Sequence, residues 1–443
     1  MPFSLLNTQL RSNLESLEYF TPTPIQIKAI PLILNGRDIL AAAQTGTGKT
    51  AAFALPILHK LAKSEEVKHH SARALVIVPT RELASQVASA IQSYAGELNI
   101  VCMALFGGAN MARQAKELAQ GVDIIVATPG RLLELNKQGH IPLSKIQFLV
   151  FDEADTIFDM GFIREVEQII DLLPLSRQNM LFSATMTGAV KQLSEKILKK
   201  PLLVEIDNLK AADATLRQVV HPVEKERKKE LLSYLIGSNN YPQVLVFTRT
   251  KKEADEVSEE LTQSGLKNAV IHGDKKHGAR DRALSDFREG KTRILVATDI
   301  AARGLDIEGL DVVINYDIPH VSTDYLHRIG RTGRAGNEGL AITLLSSAEH
   351  LSWKKIEMML GKNVETILVK GFEPPADQGL LKTRGKSMSK GEEKKGKVEG
   401  AFGNKRKKAP VQPKFAGKRG PRVAREEPIE KKPAGKKSNS RRK

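Results

Sequence analysis

Short apolar, β-branched runs alternate along this chain with stretches whose apolar residues recur three and four positions apart. Ile39–Ala43, Ala74–Val78, Ile124–Val126, Phe148–Phe151 and Met180–Phe182 read as strands, while Ala51–Lys63 and Glu82–Tyr94 carry the helical period. Runs without polar alternation are strands buried on both faces, and such strands separated by helices build a parallel sheet. After a polar connector around Asp207–Thr215 the pattern restarts, with Val244–Phe247, Ala269–Ile271, Ile294–Ala297, Val312–Ile314 and Ala341–Leu345 as strands. The expectation is an α/β chain of two parallel-sheet domains, 1–206 and 218–375, joined by a linker at 207–217 and facing each other across a cleft.

Composition sharpens this. The 443 residues allow two or three folded units, and a single cysteine excludes a disulfide scaffold. No run approaches the roughly 18 apolar residues of a membrane span. The start Met1-Pro2-Phe3-Ser4 lacks the basic-then-apolar pattern of an export signal. A soluble, cytoplasmic protein with no membrane partner is expected. The net charge of +17 is confined to one end: Lys382–Lys443 hold 23 Lys and Arg against 6 Asp and Glu, leaving the body neutral. That segment has only six Ile, Leu, Val and Phe, too few to bury a core, so the tail 376–443 is expected to be disordered and to bind nucleic-acid phosphates through runs such as Lys405–Lys408. A purely solubilising tail is the alternative. Cys102 is expected as a reduced, buried core thiol, and Trp353, in a helical stretch from Glu349 to Leu360, as a core anchor. His69 and His70 fall in a polar loop without ligand spacing for a metal.

Ala43-Gln44-Thr45-Gly46-Thr47-Gly48-Lys49-Thr50 follows an expected strand and opens a helix. Small residues there let successive N–H groups turn onto phosphate oxygens, with Lys49 reaching the β and γ phosphates and Thr50 available to Mg2+. At the end of a later strand stands Phe151-Asp152-Glu153-Ala154-Asp155. Asp152 suits a magnesium carboxylate and Glu153 the orientation of an attacking water.

Together with Ser183-Ala184-Thr185 and His327-Arg328-Ile329-Gly330-Arg331-Thr332-Gly333-Arg334, these segments resemble the DEAD-box ATP-dependent RNA helicases of superfamily 2. The likeness runs in order from about Phe3 to about Leu345. His272-Gly273-Asp274, Ala297–Asp306 and the lysine-rich tail are most similar to bacterial RhlE-type members. The resemblance implies two tandem RecA-like domains, ATP and Mg2+ as cofactors, and RNA as partner. It further implies that Tyr19 stacks on adenine while Gln26, in Pro22–Gln26, reads its edge. Arg331 and Arg334 would be arginine fingers, and Asp306 a ribose contact. His327, Asp155, Ser183 and Thr185 would couple hydrolysis to strand separation.

For RNA, the resemblance implies backbone grips at Arg81, Gly108, Thr128 and Arg131 in the first domain and at Thr250, Gly273, Arg280 and Thr298 in the second. Where RhlE-type relatives show Gln-Gly-x-Arg, this chain has His277-Gly278-Ala279-Arg280. The function expected is ATP-driven closure of two domains that locally separates short RNA duplexes or remodels RNA–protein complexes, in ribosome assembly or RNA turnover. Ribosomal precursor particles or RNA-decay enzymes would be the partners. An RNA clamp without unwinding, or a DNA helicase or translocase of the same superfamily, are the alternatives; a lone P-loop kinase leaves the second domain unexplained.

Overall fold

The computed structural model describes residues 1–43, 46–63, 72–141, 143–206, 216–302, 307, 309–333 and 338–375, with the backbone alone at 277. Among these, the first lobe contributes β1 (Ile39–Ala42), β2 (Ala74–Ile77), β3 (Cys102–Leu105), β4 (Ile124–Ala127), β5 (Phe148–Phe151), β6 (Gln178–Ser183) and β7 (Leu202–Glu205). The second contributes β8 (Leu216–Pro222), β9 (Val244–Thr248), β10 (Asn268–Ile271), β11 (Ile294–Thr298), β12 (Val312–Asn315), β13 (Gly339–Leu345) and β14 (Glu365–Thr366). Each set forms one sheet, ordered β3-β4-β2-β5-β6-β1-β7 and β10-β11-β9-β12-β13-β8-β14, with every pairing parallel. Counted from its own first strand, each lobe has the same order: third, fourth, second, fifth, sixth, first, seventh. The two-domain α/β expectation holds, and one topology is used twice.

Strands β2, β4, β5 and β6 are buried along their whole length. Alternate residues therefore feed two cores. Ile39, Ala41, Val76, Val126 and Phe182 face the helices Pro24–Leu34, Lys49–Lys63 and Arg81–Ala95. Leu75, Ile77, Leu149, Phe151 and Leu181 face Pro129–Lys137, Ile163–Leu172 and Gly188–Ile197. Phe53 meets Phe182 with ring centroids 5.3 Å apart, seating the helix that follows the glycine-rich loop against β6. Trp353 is buried edge-on to Tyr325 at 5.4 Å, the anchor expected of it.

Two expectations need correction. Residues 216 and 217, assigned to the linker, open β8, which pairs with β13 from Leu216 onward. Cys102 is half-buried on the edge strand β3 rather than fully enclosed, because β3 has a neighbour on one side only. Burial nevertheless pushes its thiol up to about 12. The tail, the linker 207–215 and His69-His70 lie outside the described residues. Among the described residues no helix is long and apolar enough to cross a membrane.

The second lobe is held at the carboxyl ends of its strands by a buried ionic network. Lys228 Nζ donates to Glu349 Oε2 at 2.5 Å and to the Tyr316 carbonyl at 2.7 Å, and Arg249 donates to Glu349 Oε1 at 3.0 Å. Burial alone would raise the Glu349 carboxyl, but Lys228 and the bonds from Ser346 and Ile318 outweigh it and hold it below the usual range. Removing one partner strands the other charge in the interior. Lys228→Met is therefore expected to destabilise the second lobe by about 3–5 kcal/mol. Lys228→Met combined with Glu349→Leu should lose less than the sum of the single changes. Urea unfolding followed by the fluorescence of Trp353, the chain's one tryptophan, measures both.

Candidate active site and nucleic-acid cleft

In a parallel sheet all carboxyl ends lie along one edge, where ligands of α/β proteins bind. The strand order divides that edge of the first lobe. Neighbours β1, β6 and β5 end in the phosphate-type loop, Ser183-Ala184-Thr185 and Asp152–Asp155; neighbours β2, β4 and β3 end in Thr80-Arg81, Thr128–Arg131 and Gly107-Gly108.

On the first half, Gly46 and Gly48 adopt φ of 74° and 86°, the left-handed region that glycine tolerates. A Cβ on Gly48 would overlap the Gln26 amide nitrogen and the Thr23 hydroxyl. That crowding comes from hydrogen bonding: Gln26 Nε2 donates to the Gly48 carbonyl at 3.0 Å and to the Tyr19 hydroxyl at 2.7 Å, while its oxygen accepts from Thr23 N at 2.9 Å. Tyr19 packs between Phe3 and Tyr94, at centroid distances of 5.7 and 6.0 Å. The loop is thus tied to the segment expected to read adenine. Gln44 and Thr45 lie outside the described residues, and Thr47 and Thr50 are half-buried.

Lys49 is 6% exposed, and among the described residues its ammonium has no hydrogen-bond partner; Asp152 Oδ1 stands 3.7 Å away. The Asp152 carboxyl is pushed up to about 6, chiefly by burial and against the pull of Lys49. Glu153 has a left-handed backbone, φ 53° and ψ 50°, a conformation costing a non-glycine residue roughly 1–2 kcal/mol. The sharp turn at Glu153 lets Asp152 meet Lys49 while Asp155 meets the strand beyond. Asp155 N donates to Ser183 Oγ at 3.3 Å, and Asp155 Oδ2 accepts from both the amide and the hydroxyl of Thr185 at 2.8 Å.

The second lobe reaches the same carboxylate. His327 Nε2 lies 3.7 Å from Asp155 Oδ2. Burial would raise the Asp155 carboxyl, yet His327, Lys49 and the Thr185 hydroxyl together hold it well below the usual range. Arg331 is buried nearby, lining a small space with Phe247, Asp299 and His327. Arg334 and Asp306 lie outside the described residues. Arg328, unassigned by sequence reasoning, is the anchor of this corner: 1% exposed, it grips Asp299 through Nε at 2.6 Å and Nη2 at 2.7 Å and caps the Asp317 carbonyl. Its position one residue after His327 was the available signal, but an arginine among candidate fingers reads as a phosphate ligand until its partners are seen.

The other half of the edge opens onto a cavity of about 470 Å3. Six of the eight residues expected to grip RNA line it: Arg81, Gly108, Thr128 and Arg131 from the first lobe, Gly273 and Arg280 from the second. Gly108, at φ 84°, lacks the Cβ that would strike the Arg81 guanidinium. Arg131 is turned inward, donating to Gln114 at 2.7 Å and to the Ala109 carbonyl, and so shapes the glycine loop. Thr250 and Thr298 stand apart from this lining: Thr250 caps the helix Lys251–Gln263 in a reciprocal bond with Glu253, and Thr298 is buried at the end of β11. Sequence reasoning missed Glu82, whose carboxylate meets Arg280 Nη2 at 2.8 Å across the lobes.

Comparison with known proteins accords with this geometry. The DEAD/DEAH box helicase family model matches residues 23–193 and the helicase conserved C-terminal domain matches 227–336. The DEAD-box ATP-dependent RNA helicase RhpA of Helicobacter pylori is 39% identical over 367 residues, 82% of this chain and 73% of that protein. The ATP-dependent RNA helicase RhlB of Pseudomonas syringae is 40% identical over 365 residues, 81% of this chain and 92% of that one. Among solved structures, S. cerevisiae Dbp5 bound to RNA and ADP BeF3 is similar with a TM-score of 0.73 and 30% identity, covering 82% of this chain and 94% of that one.

The packing of Gln26 on the loop makes one position especially demanding. Gly48→Ala is expected to weaken ATP binding at least a hundredfold, through both its positive φ and the overlap with Gln26. Adding Gln26→Ala should not restore it, since the backbone strain remains; titration with a fluorescent ATP analogue measures both variants.

Proposed function

This chain belongs to the DEAD-box ATP-dependent RNA helicases, and on that premise we propose how its own residues divide the work. ATP lies at the ends of β1, β5 and β6, a single RNA strand lies along the ends of β2, β4 and β3, and the second lobe closes on both. The observation that carries this reading is the Asp155 carboxylate, held by Thr185 from its own lobe at 2.8 Å and approached by His327 of the other at 3.7 Å. A group touched from both sides senses whether the lobes are together.

ATP is held by the loop amides and by Lys49, whose buried ammonium is supported as a phosphate ligand by its lack of any other hydrogen bond among the described residues. Tyr19 and Gln26 take the adenine. Thr50 and Asp152 would hold Mg2+, and the fit is good: a carboxylate pushed up to about 6 by burial is short of positive charge. When bound, that ion supplies charge neutralisation on the β and γ phosphate oxygens. Glu153 orients a water for in-line attack on the γ phosphorus and accepts its proton as the bond to the β–γ bridging oxygen breaks, giving ADP and phosphate. Arg331 and Arg334 stabilise the charge that develops, and Asp306 holds the ribose.

Closure around one strand favours single over paired RNA by whatever difference in affinity the closed state has for the two, and a short duplex yields locally. Arg81, Gly108, Thr128, Gly273 and Arg280 contact the sugar-phosphate backbone, with Thr250 and Thr298 positioning the loops around them; backbone contacts carry no sequence information. We take 1–206 and 216–375 as the two domains, with 376–443 as a basic tail that adds sequence-blind affinity, and an RhlE-type place within the family. The cytoplasm is the proposed compartment. Ribosomal precursor particles or RNA-decay assemblies are the proposed partners.

Two outcomes test this assignment. Glu153→Gln should bind ATP and RNA yet turn over at least a hundredfold more slowly, accumulating a closed complex; a phosphate-release assay showing ordinary turnover would remove Glu153 from its role. Truncation before Lys382 should leave the maximal ATPase rate near that of the full chain while raising the RNA concentration for half-stimulation, more at 50 mM than at 150 mM salt, which a titration with a single-stranded oligonucleotide measures.

A further inference from the structure

Ile300 is an apolar side chain in the RNA cleft that phosphate binding does not require. It is 62% exposed and shares the cavity with Arg81, Thr128 and Arg280, while Met160 and Phe162 bring further apolar side chains to the same cavity from the first lobe. Its exposure is built into the fold. Ile300 stands in the single helical turn Asp299–Ala302; Asp299 on one side is gripped by Arg328, and Ala301 and Ala302 on the other are 2% and 4% exposed in a core with Phe247 and Leu295. Pinned before and after, the turn presents its one branched side chain to the cleft. A scattered isoleucine on an open surface needs no explanation. One fixed in a cavity with two more apolar side chains, among groups suited to phosphate, does.

We propose that Ile300, Met160 and Phe162 form an apolar wall that packs against the ribose and base faces of a single RNA strand, so that the cleft's preference for unpaired RNA comes in part from an uncharged contact. The proposal rests on the reading of this cavity as the RNA cleft. Phosphates look alike to Arg81 and Arg280 whether a strand is paired or not. Base faces do not: in a duplex they are stacked inside, whereas in a single strand they are open to water and gain by being covered. A wall of this kind therefore discriminates where the cationic grips cannot.

Counterion release separates the two kinds of contact, because losing a phosphate contact lowers the slope of log affinity against log salt by about one, whereas losing an apolar contact leaves it unchanged. The experiment measures binding of the full chain, with a non-hydrolysable ATP analogue, to a single-stranded RNA and to a blunt duplex across a salt series. Ile300→Ser should weaken single-strand binding about five- to tenfold at an unchanged slope, with duplex binding unaltered; Ile300→Val should stay near the parent, and Arg280→Ala should lower the slope. The unfolding midpoint of Ile300→Ser should match the parent, the side chain being exposed. Parent-like single-strand affinity, an equal loss on duplex, or a changed slope in Ile300→Ser overturns the wall alone. Parent-like affinity and slope in Arg280→Ala overturn the RNA reading of the cavity and the wall with it.

Discussion

The Asp155 carboxyl is held towards its charged form where water is nearly excluded, and the proposed catalytic corner is arranged around it. Burial by itself would favour the neutral acid; His327, Lys49 and the Thr185 hydroxyl reverse the balance. Only two of these belong to the first lobe. The carboxylate is thus best satisfied when the second lobe is in contact, and the neighbouring Asp152, pushed the other way by the same burial, is left in need of positive charge. Two acids three residues apart are driven in opposite directions by their partners, the usual mark of groups with separate roles.

Much of this was legible from the chain. Strands buried on both faces announce themselves as unbroken apolar runs, and all five runs of the first lobe are strands in the structure. The strands that escaped notice are β3, β7, β8 and β14. Three lie on edge positions where an exposed face is tolerated, as Leu203 and Glu205 of β7 illustrate. In β8 the run is broken by Arg217, Gln218 and His221, whose side chains find partners in Glu365, Tyr325 and the Ile367 carbonyl. At the site, residue types indicated chemistry but not direction. Arg131 and Arg328 look from sequence like the arginines that face ligands, yet both are turned into the protein, and their partners, Gln114 and Asp299, come from segments that only the fold brings close.

The carboxyl edge of the first sheet has room for two ligands side by side. With β1 next to β6 and β5 on one side, and β2, β4 and β3 on the other, the proposed nucleotide and RNA sites are separated by strand order rather than by distance along the chain. The helix Arg81–Ala95 crosses that division: its first turn reaches the cleft through Arg81, and its last turn carries Tyr94, against which Tyr19 packs. Asn13 clasps the same end through the Ser93 and Tyr94 carbonyls, so the segment that holds Gln26 and the wall that holds Arg81 share one rigid element about 22 Å long.

The half-buried sulfur of Cys102 has a practical consequence. Because only the thiolate is nucleophilic, a thiol pushed up to about 12 by burial is nearly inert at neutral pH. With no other cysteine in the sequence, the chain is a quiet background for dye chemistry. One engineered surface cysteine in each lobe would react far faster than the resident one, and energy transfer between the two labels would report opening and shutting on single molecules.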